Sequence, residues 1–524
     1  MKVVKSLLLG SAAGLVAVAG AQAADLPVKA KPVDYVKICS IYGAGFFYIP
    51  GTDTCIKIGG WVRAEYTFQT GGSATPYNQG AAGRNNRIDS NENSMRARFV
   101  TSLDVRTQTE YGTLRAYTRA GFQATTGQTA QGIIYTERAF IQFAGFTLGK
   151  SQSYFDFNSG AFCYGCGYMG NGSQTGAAGQ LLMAYTATLG NGITATISAE
   201  DQTLRRNAIW DASNDAQNAL AIGAAPGPVS AVDDFNITPI PLGDAAATGI
   251  PDVIGSLRVD QAWGSAQVAG ALHQLRGGYY GNNTTGAGNG GVFGQSPADA
   301  YGWAVMAGIV LNVPWNKGDK FWVEGTFAQG AGAYAGFSSV VGQNSVWQRF
   351  NGRNVAAAWA LDSVFGNLAS TGGQTGQQLT NYWSIAAAFE HYWTPALRTD
   401  IFGSYSGADF NGTATTLFCS SPQSPVRGLA GNATVVGTPT GAAAVSGCNP
   451  DFNLINVGVR TIWNPAAQFD IGLEVMYSRV ETKHDANLVA INFAGAGGRA
   501  PGLYAPSSEN TWSGILRFQR NFWP

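Results

Sequence analysis

The links between the extended segments of this chain alternate strictly between short and long, and that alternation constrains its fold more than any motif does. Sixteen stretches, from 55–68 and 94–107 through to 467–479 and 511–522, carry the period-two pattern of half-buried strands. One set of links is short: Gln108–Tyr111, Ala144-Gly145, Gly190-Asn191, Gln261–Gly264, Asn312–Gly318, Tyr392–Ala396 and Asn464–Ala466. The other set, including 202–251, 275–300, 329–380, 406–452 and 480–510, is long and irregular in composition. Antiparallel strands joined in this way go up and down, with all the short turns at one end and all the long loops at the other.

Composition decides whether such a sheet lies in water or in lipid. Charged residues make up 12% of the chain and aromatics another 12%, with 70 glycines; an ordinary soluble domain carries about twice that charge. After Ala23 no apolar run approaches the ~18 residues of a membrane helix. A closed barrel is the sheet that satisfies its own backbone inside a bilayer, and most of the strands have the roughly 9–11 residues needed to cross one. A secreted β-sandwich or propeller array is the alternative, and it would carry more charge on its outward faces. The expectation is an all-β, sixteen-stranded antiparallel transmembrane up-and-down barrel.

Compartment follows from the N-terminus and the cysteines. Met1-Lys2-Val3-Val4-Lys5, the apolar Leu7–Gly20 and Ala21-Gln22-Ala23 have the layout of a cleaved signal peptide over residues 1–23, leaving the barrel to residues 24–524. The near-neutral charge balance offers nothing to a nucleic-acid partner. Six cysteines suit an oxidising compartment, and their spacing suggests local pairs Cys39–Cys55, Cys163–Cys166 and Cys419–Cys448. A Cys-x-x-Cys can also be a zinc half-site or a redox dithiol, but here no second ligand pair accompanies it.

Inside a barrel, chemistry belongs to the inward face. In Met95–Val105 the residues Met95, Ala97, Phe99, Leu103 and Val105 share one face, and Arg96, Arg98, Ser102 and Asp104 the other. In the next strand Leu114, Ala116 and Phe122 oppose Arg115, Tyr117 and Arg119. By the same alternation Lys57, Arg63 and Glu65 project inward, with Arg138 nearby. Ser151–Gln180, about thirty residues between neighbouring strands, is expected to be an inward-folded third loop that narrows the lumen, an ordinary surface loop being the alternative. Lys150 stands at its entrance, and Asp156 is the one acid of Gln152–Gln180, facing the arginine wall if the loop turns in. Trp303, Trp322, Trp383, Tyr392, Trp393 and Trp463 fall near strand ends, where aromatic girdles sit. His273, His391 and His484 have no metal-ligand spacing, and no nucleophile elbow or P-loop is present, so neither an enzyme, a metal nor a cofactor is expected. A barrel whose loops bind partners is a further reading.

Val36-Lys37-Ile38-Cys39, with Tyr42-Gly43-Ala44-Gly45-Phe46-Phe47-Tyr48-Ile49-Pro50-Gly51-Thr52-Asp53-Thr54-Cys55, resembles the start of alphaproteobacterial (Rhizobiales-type) general porins. Gly149-Lys150-Ser151 is similar to the strand end leading into their pore-constricting third loop. Ile515–Phe522 (ILRFQRNF) resembles the closing strand with its aromatic assembly signal, here Phe518 and Phe522, although two residues follow Phe522. The resemblance implies a homotrimer in outer-membrane lipid, passing ions and small hydrophilic solutes passively.

Overall fold

The structure is a computed structural model and describes residues 37–68, 78–79, 93–126, 133–158, 162–164, 169–176, 179–213, 245–280, 295–337, 346–430, 434–437, 439–493 and 500–522. The expected signal peptide and Cys166 lie outside these. Sixteen long strands form one sheet. They are β1 Cys55–Phe68, β2 Asn93–Thr109, β3 Gly112–Thr125, β4 Ile133–Phe143, β5 Phe146–Ser151, β6 Gln180–Gly190, β7 Ile193–Glu200 and β8 Asp252–Gln261. There follow β9 Gly264–Leu275, β10 Ala300–Asn312, β11 Lys320–Gln329, β12 Asn381–Thr394, β13 Leu397–Asp409, β14 Phe452–Ala466, β15 Phe469–Thr482 and β16 Glu509–Asn521. Each pairs antiparallel with the next, and β1 closes on β16, with Trp61 opposite Asn521 and Phe68 opposite Gly514. Closure leaves no edge, so the ladder satisfies the backbone wherever lipid cannot.

The pleat sorts the side chains as the alternation predicted. Met95, Phe99 and Leu103 of β2 lie exposed on the outside with Val62, Leu114, Phe122 and Ile141 of the neighbouring strands. The intervening Ser94, Ser102 and Asp104 are buried within. Trp303, Trp393 and Trp463 are exposed on the outer surface. Trp322 is not part of that girdle: it faces the lumen, is buried, and stacks on Phe162 with centroids 6.0 Å apart. Its strand, KFWVEGTFAQ, has large apolar residues on both faces near its start, so alternation alone could not orient it.

The long links, irregular in sequence, are folded where they are described. Ala208–Asp211, Leu361–Leu368 and Gly373–Leu379 make one small sheet. A second sheet includes Val346–Asn351, Asn354–Trp359, Val426–Ala430, Val489–Phe493 and Gly502–Pro506. Beside them α1, Gly412–Ser420, has its first turn capped by Asn411, whose side-chain oxygen accepts from Ala414 N at 2.9 Å. Trp210, Trp359, Leu417, Phe418 and Phe493 pack into a core there, distinct from the one inside the barrel. The Cys419–Cys448 disulfide ties α1 into it. These links escaped a period-two reading because their strands are short and buried on both faces, as in Leu361–Gly366, where all six residues are buried.

At the opposite end, the Cys39–Cys55 disulfide folds the N-terminal segment against the start of β1. Its Phe46 ring lies 4.8 Å from the Arg106 guanidinium.

Candidate pore constriction

The described residues of the stretch 152–179 turn into the barrel and reach from one wall to the other. Near the start, Gln267 of β9 donates to the carbonyl of Phe155 at 3.2 Å. Further on, Glu324 of β11 accepts from Gly172 N at 2.9 Å and from Ser173 Oγ at 2.6 Å. Two glycines make room for the passage. A Cβ on Gly308 would sit 2.5 Å from the Phe157 ring, and one on Gly472 would overlap the Tyr164 hydroxyl. Tyr164 reaches the far wall, its ring 4.9 Å from the Arg460 guanidinium and 3.5 Å from that of Arg517.

Phe155, Phe157, Phe162 and Met169 of this loop form one apolar core with Ile254, Ala269, Ala271, Ala304 and Met306 of β8–β10. Tyr334 and Phe337, from the link after β11, complete it. The inner face of that half of the barrel is therefore a packing surface. Small inward residues accept the loop's rings, and burying each ring stabilises the loop's position by about 2 kcal/mol.

On the other side, strands β16 and β1–β4 present charge. Glu65 is buried and bonded by Arg96 Nε at 2.7 Å and Arg517 Nε at 2.6 Å, with Arg63 at 3.8 Å. Asp104 takes Arg106 at 2.7 Å and Arg115 at 2.9 Å. Glu137 takes Arg119 at 2.6 Å. Arg98 bonds Gln123 at 2.7 Å and lies 5.1 Å from the Tyr135 ring. The Glu65 side chain has no exposure, whereas those of Arg96 and Arg119 are 18% and 31% exposed. Guanidinium groups thus form the surface, with the carboxylates beneath them. Eight arginines (63, 96, 98, 106, 115, 119, 138 and 517) stand against four carboxylates (65, 104, 137 and, at the long-loop end of β16, 509), so the face is positive.

A bulge sets one part of this wall. The register of β3 with β4 shifts between Arg119 and Ala120, leaving the adjacent Glu137 and Arg138 both on the inner face. Arg138 then donates to the Glu137 carbonyl at 2.7 Å and to the carbonyl of Gly176 in the loop. Lys150 pairs with Ala139 and Leu181 and so shares the register of outward residues; its ammonium donates to the Thr136 carbonyl at 2.9 Å.

Asp156 does not face the arginine wall. It is buried at the loop's neck, accepting from Thr175 N at 2.7 Å and Thr175 Oγ1 at 2.8 Å and paired with Arg205. Arg205, Arg106 and Arg517 were missed by the sequence reading. Arg517 lies on the inward parity of the closing strand and could have been found by extending the alternation there. Arg205 lies in a link with no periodicity, so no signal marked it. Phe518 and Phe522 are on the outer face, where Phe522 stacks on Phe99 at 6.1 Å. Cys163 is disulfide-bonded.

A closed sixteen-stranded barrel with an apolar exterior, a charged inner wall and a loop crossing its lumen defines an outer-membrane β-barrel of the channel type. Residues 25–514 match the family model described as the porin subfamily, and the chain belongs to that family. It is 36% identical over 223 residues to Porin Omp2a of Brucella melitensis, covering 38% of this chain and 56% of that one. To Porin Omp2b of Brucella suis it is 31% identical over 286 residues, covering 51% of this chain and 65% of that one. The matched region thus spans between half and two-thirds of these relatives. In fold it is similar to the outer membrane channel DcaP of Acinetobacter baumannii, with a TM-score of 0.52 at 13% identity over 91% of this chain and 99% of that one.

Proposed function

We propose that the chain is exported through a cleaved signal peptide (residues 1–23) and assembles as a homotrimer in outer-membrane lipid. There it forms a water-filled channel for passive diffusion of ions and small hydrophilic solutes. The relatives bearing the name porin support this class of activity. The observation that carries the reading is the division of the lumen. Phe155, Phe157, Phe162 and Met169 of the crossing loop pack onto β8–β11, and the guanidinium face of β16 and β1–β4 borders the remaining space. The constriction lies between that loop and Arg63, Glu65, Arg96, Arg98, Arg115, Arg119 and Arg138. Positive charge dominates it, so anions are weakly preferred, with salt screening charges beyond roughly 8–10 Å.

Single-channel recording tests both parts. Removing residues 157–176 raises the conductance, since the crossing segment goes. Replacing Arg96, Arg98 and Arg115 with Ser moves the zero-current potential in a KCl gradient toward cations. In that variant Glu65 keeps Arg63 and Arg517, and Asp104 keeps Arg106, so the barrel is expected to persist. A triple variant with unaltered selectivity would remove the charged wall from the account while leaving the constriction in place.

A further inference from the structure

The inner face of β1–β4 is polar or charged at most positions, and Phe140 breaks the rule. Its phenyl ring is half-buried on the lumen side, directly opposite Tyr117 in the β3–β4 register. The two rings stack, with centroids 5.2 Å apart and planes inclined by 30°. A ring left partly in water gains from being covered by another apolar surface, at about 25 cal/mol per Å2.

The neighbours of this pair are fixed by the ladder. One step toward the short-turn end, Arg115 stands opposite Gln142, its guanidinium 4.9 Å from the Tyr117 ring and 5.4 Å from the Phe140 ring. One step the other way, Arg119 stands opposite Arg138. Two residues along a strand span roughly 7 Å, which is the reach from a ring stacked on the pair to a carboxylate on a guanidinium. Arg138 also bonds the Gly176 carbonyl, so the site lies beside the crossing loop. Asp104 and Glu137 offset part of the charge: Asp104 pairs with Arg106 and Arg115, and Glu137 with Arg119. Four arginines against these two carboxylates keep the cluster positive.

From this arrangement we infer that Tyr117 and Phe140, between Arg115 on one side and Arg119 with Arg138 on the other, form a binding subsite for small aromatic carboxylates. The ring of the solute stacks on the aromatic pair while its carboxylate meets the Arg119 side, which is the more exposed. Such solutes would be held briefly beside the crossing loop and so be favoured over aliphatic anions of equal charge. This rests on the channel reading above.

Benzoate, acetate and benzyl alcohol, added in turn to the full-length protein in a planar bilayer in KCl, separate the contributions of ring and charge. Benzoate is expected to reduce the KCl current saturably. Acetate and benzyl alcohol should each need at least roughly fivefold higher concentration, the worth of one aromatic contact. Normalised to each protein's own KCl current, Phe140→Ser and Tyr117→Ser together raise the half-blocking concentration of benzoate by about fivefold, whereas Phe140→Tyr retains wild-type block. Benzoate acting no more strongly than acetate on the wild-type channel overturns the subsite, whether or not the Ser variants assemble. Equal block of wild type and the double variant overturns it too. A protein that carries no KCl current at all overturns the channel reading and the subsite with it.

Discussion

Arg205 holds the crossing loop at several points at once. It is 1% exposed, ion-paired with Asp156, and donates to the carbonyls of Gly172 at 3.0 Å and Ala333 at 3.1 Å. The Tyr334 ring lies 4.7 Å from its guanidinium. Two ends of one loop and a turn from another therefore meet on a single side chain. Arg205→Ala leaves Asp156 buried and uncompensated, a loss of about 3–5 kcal/mol. The expected result is a barrel with a lowered unfolding temperature and a flickering open-channel current. Adding Asp156→Asn to Arg205→Ala removes the orphaned charge and restores part of the lost stability. No recovery in that double variant would mean that Arg205 acts through packing alone.

A second residue gives the outer loops a pH dependence. His484 is buried beside Trp359, at 5.9 Å between ring centroids, and its Nδ1 accepts from Asn449 N at 3.0 Å. Burial pulls its pKa from 6.5 down to about 4. Between those values the unfolded loop binds a proton that the folded one refuses, so stability falls as pH drops from 6.5 toward 4, by roughly 3 kcal/mol at most. Above 6.5 the residue has no effect. The protection of residues 439–493 against hydrogen exchange, taken relative to the intrinsic rate at each pH, should therefore fall between pH 7 and pH 4.5. His484→Gln should flatten that change despite the neighbouring Asp451 and Asp485. An equal pH response in His484→Gln would assign it to those carboxylates instead.

At the scale of elements, the parts legible in the sequence were those with one wet and one greasy face. In β1–β4, arginines alternate with Val62, Met95, Phe99 and Leu114, and pleat and register could be read directly. Along parts of β9 and β10 both faces are apolar, as in Val268-Ala269 or Val305-Met306, so alternation there could not say which side receives the loop. Ala269 and Met306 proved to be the inner ones. The outer links failed for a related reason. Their strands are short, pair partly in parallel (Ala208–Asp211 with Leu361–Leu368), and draw on distant segments, so the core around Trp359 and Phe418 left no local periodicity. A bulge at Glu137 was equally invisible, since it is fixed by the partner strand. The cysteine spacing, by contrast, was enough for Cys39–Cys55 and Cys419–Cys448, because each pair closes a short local loop.

Over the whole molecule, the outer surface is unequal around its circumference. Trp263, Trp303, Trp315, Trp393, Trp463 and Trp512 are exposed on the arc from the β8–β9 turn to β16. On β1–β7 the one tryptophan, Trp61, faces inward and is buried. Tryptophan marks the lipid interface, so the arc without it is the one suited to protein contact. Small outward residues such as Ala64 and Ala97 lie there, beside the stacked Phe122, Phe99 and Phe522. We therefore place the subunit contacts of the proposed trimer on β1–β3. Ala97→Arg puts a charge into that contact, whereas Ala307→Arg puts one on the outward face of β10, among the tryptophans. Each costs about 2–4 kcal/mol if it faces lipid at mid-depth, so the pair controls for insertion. Ala97→Arg is expected to yield folded single barrels on native electrophoresis, and Ala307→Arg to remain trimeric. Trimers from Ala97→Arg together with monomers from Ala307→Arg would move the interface to the tryptophan-bearing side.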